Sequence, residues 1–281
     1  MVLQRAPFQA TIWGYSSKIG DNVTVSLNGT IVASAPVRMN VFNVFDGFWL
    51  VKLPPVSVAG PFNITVTSSE GKLKLHDVLF GDVWICSGGS NMAMTLNKIY
   101  NSSAEIEDAV NYPNIRLFTV KEYPFEYPIY NVQIKQDWSL PNKIGTDDNF
   151  SALCWLYGKY LYQTLGYPLG LIDASYANSS IGAWTPPEAA ADCGIRDHTV
   201  IGRSGNTVAA SSLWNGMVHP FANMTIYGAI MTHVITIVVT ANYIMGIRYA
   251  WEETPCQFKK CAIYSRINAL PAPTYISMGM S

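Results

Sequence analysis

The chain has 281 residues, a size that allows one large domain or two small ones with a buried core. Its 18 basic and 19 acidic residues give a net charge of −1, and charged residues make up only 13% of the chain. Because no basic surplus exists to neutralise phosphates, the composition argues against a nucleic-acid partner. The five cysteines are too few for a disulfide scaffold, and they do not form the paired CxxC units that hold zinc.

Acceptor sites for N-glycosylation are more frequent than the composition explains by chance, which predicts a glycoprotein of the secretory pathway. The alternative is that loops rich in Ser and Thr produce the Asn-x-Ser/Thr pattern by accident. Seven such sites occur, at Asn22, Asn28, Asn63, Asn101, Asn149, Asn178 and Asn223.

Residues 1–7 lack the basic region, the apolar region and the cleavage motif of an export signal. We therefore expect either a mature or shortened form of a secreted protein, or a form that stays in the cytosol. Cys256 and Cys261, spaced C-x4-C, are a candidate local disulfide that would favour an oxidising compartment. Two ordinary free thiols are the alternative.

The longest apolar stretch, residues 229–247, is not predicted to span a membrane. His233, Asn242 and three threonines interrupt it. Residues 234–239 within it are mostly β-branched, which predicts a buried strand instead.

The first 80 residues predict antiparallel strands. Asn28-Gly29 is a pair that suits the positive φ angles of a type I′ hairpin turn. Short strands separated by frequent turn signals favour a small β-sandwich. The predicted strands are residues 23–27, 30–34, 48–53, 63–67 and 72–76.

From about residue 81 the pattern becomes that of an α/β domain. Residues 83–86 are continuously apolar, which predicts a strand buried in a parallel sheet with a helix after it. Residues 151–165 carry apolar side chains at spacings of three and four, which predicts a helix ending at Gly166. Residues 169–175 predict the next buried strand. We expect a β-sandwich-like domain at 1–80, an α/β domain at 81–230 and a β or irregular segment at 231–281.

The most informative segment is residues 81–92, GDVWICSGGSNM, in which a predicted strand ends in two glycines before Ser90. The glycines allow a tight turn, and a helix beginning at Ser90 would offer free N–H groups to a developing oxyanion. This arrangement suits a nucleophilic serine, although Met92 takes the last glycine position of the G-x-S-x-G elbow. The alternative is that Ser90 is only a helix N-cap.

Residues 74–96 resemble the nucleophile region of the sialate O-acetylesterases, a branch of the SGNH-hydrolase superfamily with the motif G-D-V-W-x-C-S-G-Q-S-N-M. Gly89 stands where that family has Gln. The resemblance implies a shortened SGNH-type α/β/α domain with Ser90 as nucleophile, and it implies no metal or organic cofactor. Further similar segments follow in the family's order, at residues 152–155, 167–172, 213–220, 223–225, 248–251 and 270–273.

Two parts of the family's site have no counterpart in this chain. The similarity passes from Gly228 to a region near the family's C-terminus, so the W-Y-Q-G-E-S-N segment and the Asp-His block with the general base are missing. We interpret His219 as structural, His233 as a core residue and His198 as part of a solvated loop. The general base is therefore unassigned.

The family's other oxyanion donor is also altered. Where the family has S-W-G-G-T-P-I-E-A-W, this chain has residues 175–184, and Ala177 replaces a glycine whose N–H points to the oxyanion. Ser90 and Ala177 are therefore the candidate oxyanion donors. Whether the Cβ atom of Ala177 closes the site depends on its φ angle.

By resemblance, the chain is a serine ester hydrolase that removes O-acetyl groups from sialic acids of sialoglycans, in the lysosome or outside the cell. We expect this form to be impaired, because loss of the base alone costs about 10⁶-fold in kcat. One alternative is a non-catalytic glycan-binding or interfering fragment. Another is a chain that folds poorly because a deletion leaves strand edges unpaired.

Overall fold

The computed structural model describes residues 1–40, 43–144, 150–193, 200–201, 207–232, 248–249 and 275–276. Five residues of the sequence predictions lie outside these ranges, as does the strand predicted at residues 234–239: the five are Asn149, His198, His233, Cys256 and Cys261. Two compact units are present, Met1–Val234 and Ile235–Ser281.

The first unit contains fourteen described strands and three α-helices. The strands are β1 (Val2–Gln4), β2 (Thr11–Ser16), β3 (Asn22–Leu27), β4 (Thr30–Pro36), β5 (Arg38–Asn40), β6 (Asn43–Lys52), β7 (Phe62–Ser68), β8 (Gly71–Gly88), β9 (Ile115–Val120), β10 (Ile134–Ser139), β11 (Leu169–Ser175), β12 (Val200–Ile201), β13 (Thr207–Val208) and β14 (Gly228–Thr232). The helices are α1 (Ser102–Ala109), α2 (Ala152–Leu165) and α3 (Pro187–Asp192), and a π-helical turn covers Trp214–Val218. In the second unit the described residues form an antiparallel pair, β15 (Arg248–Tyr249) and β16 (Tyr275–Ile276).

The long strand β8 joins the two halves of the first unit. Its first part pairs antiparallel with β7. Strand β7 in turn pairs with β3, and β3 pairs with β4. Its second part lies between β11 and β14, and both of these pairings are parallel. The domain boundary predicted between residues 80 and 81 falls within this strand. The division into two domains at that point therefore stays a prediction.

The N-terminal half is the predicted sandwich. A separate sheet in the order β2-β6-β5 packs over the β7-β3-β4 part of the large sheet, and both contribute to one apolar core. Val25 and Ile64 enter this core from one sheet, and Trp49 and Val51 enter it from the other. The hairpin at Asn28-Gly29 is confirmed, with φ angles of 47° and 88°.

The second half is an α/β sheet covered on both faces, as the sequence predicts. Ile85 and Ile172 face one apolar core, and Leu171 faces the other, which also contains Trp155 of α2. Helix α2 occupies its predicted position: the Ser151 hydroxyl caps it by accepting a hydrogen bond from the Cys154 N–H at 3.1 Å. Gly166 ends it with a φ of 72°.

A buried carboxylate, Asp82, fixes the middle of β8 against its surroundings. It accepts hydrogen bonds from the Gln4 amide at 3.0 Å, from Arg5 Nε at 3.1 Å and from the Tyr167 hydroxyl at 2.6 Å. The Arg5 guanidinium also lies 3.4 Å from the centre of the Tyr167 ring. Burial and the hydrogen bond to Asp82 raise the pKa of Tyr167 to about 12, so its hydroxyl stays a donor.

None of the helices formed by the described residues has the length and apolar content that crossing a membrane requires.

We expect Asp82→Ala to lower the free energy of unfolding by about 3–5 kcal/mol, because it leaves a partly buried cation and two polar groups without their acceptor. Urea denaturation measures this change. Glu107→Ala, at an exposed position of α1, is the matched control and should stay within about 0.5 kcal/mol of the parent. Equal stabilities of the two variants would contradict the assigned role of Asp82.

Candidate active site

Ser90 lies just beyond the end of β8, at the carboxyl edge of the parallel strands. Strand β8 ends at Gly88, whose φ is 139° and where a Cβ atom would lie 2.3 Å from the Thr232 carbonyl oxygen. The Gly89 N–H donates to the same oxygen at 3.2 Å. The close approach of β14 therefore requires the glycine at position 88. This edge is where open α/β sheets bind their ligands.

The helix predicted to begin at Ser90 is wrong. Residues 89–93 form a single turn, closed by the Ala93 N–H and the Gly89 carbonyl at 3.0 Å, and α1 begins only at Ser102. Buried Met92 is held instead against the start of α2, where its sulfur accepts a hydrogen bond from the Ser151 hydroxyl at 3.2 Å. This packing competes with helix formation, so the donors available beside Ser90 are single N–H groups rather than the N-terminus of a helix.

The hydroxyl of Ser90 is exposed and contacts one residue, Asn178, in two ways. Ser90 Oγ donates to Asn178 Oδ1 at 3.3 Å, and the backbone N–H of Asn178 donates to Ser90 Oγ at 2.9 Å. Asn178 has a φ of 59°, and Asn is the non-glycine residue that best tolerates this region. By the resemblance, its place corresponds to the second glycine of the family's segment, and asparagine is a residue that this φ angle tolerates.

Ala177 does not have a positive φ, so its Cβ atom fits the turn without strain. The N–H group that reaches Ser90 belongs to the next residue, Asn178. The resemblance pointed to Ala177 because it stands where the family has a glycine. The direction of each backbone N–H group depends on the geometry of the turn, which the sequence does not show. The oxyanion role of Ala177 stays a prediction, and Asn178 is a candidate donor that the sequence did not indicate.

The two histidines within the described residues lie in other surroundings. His76 is exposed on β8 and its Nδ1 lies 3.0 Å from Asn63 Oδ1. His219 Nδ1 lies 2.9 Å from the Ile129 carbonyl oxygen, and its ring packs edge-on against Tyr130. These partners agree with the structural role expected for His219. Neither histidine has a described contact with Ser90.

Behind the Ser90 turn lies a buried acid, Asp173 of β11, which sequence reasoning missed. Its Oδ2 accepts the Ser151 N–H at 2.9 Å, and its Oδ1 has no hydrogen-bond partner among the described residues. Burial raises the pKa of Asp173 from 3.8 to about 6, against the smaller opposing effect of neighbouring hydrogen-bond donors. Asp173 thereby ties the sheet to the start of α2, next to Met92.

A disulfide between Cys86 and Cys154 makes a second connection between β8 and α2. The two Cα atoms are 5.9 Å apart, although 68 positions separate them in the sequence. Short spacings such as C-x4-C gave no indication of this pair. Their one sequence signal is their location in two segments that resemble the same family. Cys193 is a free and exposed thiol.

Six of the seven predicted glycosylation sites are described, and all six are at least partly exposed. Asn28 and Asn63 are neighbours, since the Asn63 N–H donates to Asn28 Oδ1 at 2.8 Å. Asn178 is the one site that contacts Ser90. Glycosylation at these positions stays a prediction.

The described residues thus place an exposed serine at the carboxyl edge of the parallel strands of a central sheet, the edge at which α/β proteins hold their ligands. The fold matches the crystal structure of XAC1771, a carbohydrate acetylesterase from Xanthomonas citri, with a TM-score of 0.68 and 27% sequence identity. The match covers 82% of this chain and 48% of that one.

The sequence is related to the sialate O-acetylesterases. It is 36% identical to that of Homo sapiens over 248 residues, and 35% identical to that of Rattus norvegicus over 271 residues. Both matches cover 82% of this chain, which spans about half the length of these relatives, 46% and 49%. The family model of the sialate O-acetylesterase C-terminal domain matches residues 201–279.

The raised pKa of Asp173 predicts a pH dependence of stability. Because the native state holds this proton more tightly than the unfolded chain, ionisation of Asp173 destabilises the fold as the pH rises from about 4 through about 6. Asp173→Asn keeps an acceptor for Ser151 and removes this loss. We expect the variant to gain stability over the parent across this interval, by up to an amount on the order of 3 kcal/mol.

Urea denaturation at several pH values between 4 and 8 measures this difference. Asp137→Asn, at an exposed acid of β10, provides the control, and its stability should stay within about 0.5 kcal/mol of that of the parent at each pH. A constant difference between Asp173→Asn and the parent over the whole range would contradict the assignment.

The disulfide should contribute substantially to stability. Replacing both Cys86 and Cys154 by Ala is expected to lower the free energy of unfolding by about 2–5 kcal/mol, because the unfolded chain loses a long closed loop. Cys193→Ala is the control and should change stability by less than about 0.5 kcal/mol. Alkylation of Cys86 in the unreduced protein, detected by peptide mapping, would show that the bond is absent.

Proposed function

We propose that this chain is part of a carbohydrate esterase that removes O-acetyl groups from sialic acids, with Ser90 as the nucleophile. The observation that carries the proposal is the exposed Ser90 hydroxyl at the carboxyl edge of the sheet, with the Asn178 N–H 2.9 Å from Oγ. The names of the relatives support the reaction and the sugar. The substrate would be an O-acetylated sialoglycan.

The chemistry at Ser90 is an acyl transfer in two steps. Ser90 Oγ attacks the acetyl carbonyl carbon while its proton passes to a base, and backbone N–H groups such as that of Asn178 stabilise the resulting oxyanion. The bond to the sugar oxygen then breaks as that oxygen takes up a proton. Water releases acetate from the acetylated Ser90 and regenerates the hydroxyl.

We also propose that this form is impaired. Its Ser90 proton is held by the amide oxygen of Asn178, which accepts hydrogen bonds but does not take up protons near neutral pH. A serine hydrolase without its histidine base loses about 10⁶-fold in kcat. Because this contact argues against catalysis, the second candidate function is glycan binding without catalysis.

For the compartment, we propose the secretory pathway, with the lysosome or the cell exterior as destination. The disulfide between Cys86 and Cys154 supports this proposal, because such bonds persist in oxidising compartments. The exposed glycosylation sites are in accord with it.

Labelling with a fluorophosphonate probe tests the nucleophile. We expect slow labelling of the parent, none of Ser90→Ala, and severalfold faster labelling of Asn178→Gly. Glycine keeps the backbone N–H and suits the φ of 59°, but it removes the amide oxygen that holds the proton. Asn28→Gly replaces another asparagine with positive φ and should label like the parent. Labelling that survives Ser90→Ala would contradict the assignment of the nucleophile.

Hydrolysis of 9-O-acetylated sialic acid, followed as acetate release, tests the impairment. We expect the parent to remain within about tenfold of Ser90→Ala, because Ser90 contacts no base among the residues that the structure describes. Turnover that Ser90→Ala abolishes would overturn the impairment. His198→Ala and His233→Ala would then identify which histidine provides the base.

A further inference from the structure

The β-sandwich carries a groove that the esterase chemistry does not use. We call it the aromatic groove. It lies between β2 and the β7–β8 hairpin, and its volume of about 430 Å³ is within the range of ligand sites, about 300–1,000 Å³. Its principal lining residues are Trp13, Tyr15, Trp49, Glu70, Lys72 and Leu73.

The apolar surface of the aromatic groove is held in place by packing. The Trp49 indole lies directly against Gly14, where a Cβ atom would come within 2.6 Å of the ring. Tyr15 packs on Phe48 with ring centres 5.8 Å apart and remains 39% exposed. Leu73 on the opposite wall is 71% exposed. The groove therefore presents apolar surface to solvent, and packing holds the Tyr15 part of that surface in place, which lowers the entropic cost of binding there.

One rim of the aromatic groove carries a fixed carboxylate. Glu70, at the tip of the hairpin, accepts hydrogen bonds from the Ser16 hydroxyl, from the Ser17 hydroxyl at 2.6 Å and from the Ser17 N–H at 3.3 Å. These donors hold the pKa of Glu70 below its usual value, so the side chain is ionised. A carboxylate has about four acceptor positions, which leaves capacity for a further hydroxyl donor.

Lys72 supplies donors on the same hairpin. It is exposed, and it forms no ion pair with any part of the chain that the structure describes. The rim thus combines a carboxylate that already binds hydroxyl groups with an ammonium group that carries three donors. A ligand with several hydroxyl groups satisfies both, whereas an anion satisfies Lys72 alone and is repelled by Glu70.

We propose that the aromatic groove binds a neutral hexose of a glycan. Such a sugar has an apolar C–H face to pack on Trp13, Tyr15 and Leu73, and hydroxyl groups at its edge for Glu70 and Lys72. The inference deepens the proposed function, on which it rests, by adding a second sugar site to a protein that acts on glycans. The groove lies beside the opposite half of β8 from Ser90, so it holds a sugar other than the one being deacetylated. Two sites of this kind raise the effective concentration of a glycan at Ser90.

Titration of the full chain with a neutral N-acetyllactosamine tetrasaccharide, followed by calorimetry, tests the proposal. We expect a dissociation constant in the millimolar range or below, and at least a tenfold weakening in Trp13→Ala. Because Trp13 also contributes to packing, Leu73→Lys is the second variant, at an exposed position that should leave folding intact. Its matched control is Ile31→Lys on β4, 67% exposed and outside the groove, which should bind like the parent.

Two outcomes would overturn the proposal: no binding of the neutral tetrasaccharide by the parent, or equal affinities of Leu73→Lys and Ile31→Lys for it. Ser90→Ala should bind the neutral sugar as the parent does, which separates the groove from the esterase. If Ser90→Ala is still labelled by the probe while the hexose binds, the proposed function is contradicted and the sugar site is not. If acetate is released while no hexose binds, the sugar site is contradicted and the proposed function is not.

Discussion

The buried carboxylate of Asp82 is the interaction on which the rest of the first unit depends. It sits where β8 changes from antiparallel neighbours in the sandwich to parallel neighbours in the α/β sheet. A charge at this depth is tolerated only because Gln4, Arg5 and Tyr167 all donate to it. These donors come from the N-terminus and from the loop before β11, so one ionised group fixes both halves around the same strand.

The position of Ser90 follows from that arrangement. Because β8 and β11 are held in register, the turn after Gly88 faces the turn after Ser175, which brings Asn178 to the Ser90 hydroxyl. Asp173 and the Cys86–Cys154 bond anchor the same region to α2 from behind. The Ser90 hydroxyl is therefore firmly positioned, and within the described residues the acceptor of its hydrogen bond is the amide oxygen of Asn178.

Local signals predicted the elements that depend on local chemistry. The Asn28-Gly29 hairpin, helix α2 and strand β11 were predicted within a residue or two, because turn residues, a cap and apolar spacing act over short distances. The helix after Ser90 was predicted wrongly because Met92 packs against Ser151, a partner 59 positions away. The disulfide, the buried Asp173 and the contact of Asn178 were missed for the same reason. Each depends on which strands become neighbours, and a single sequence does not contain that information.

The continuity of β8 also limits the distance between the aromatic groove and Ser90. Leu75, which lines the aromatic groove, and Gly88, beside Ser90, are thirteen positions apart in β8, and at about 3.3 Å per residue this corresponds to a span of up to about 43 Å. Adjacent sugars of a single linear chain are far too close together to occupy both positions. A molecule with these two sites would engage separate antennae of a branched glycan, or neighbouring glycans on a crowded cell surface. Its preference would then depend on glycan density more than on the sequence of any one chain.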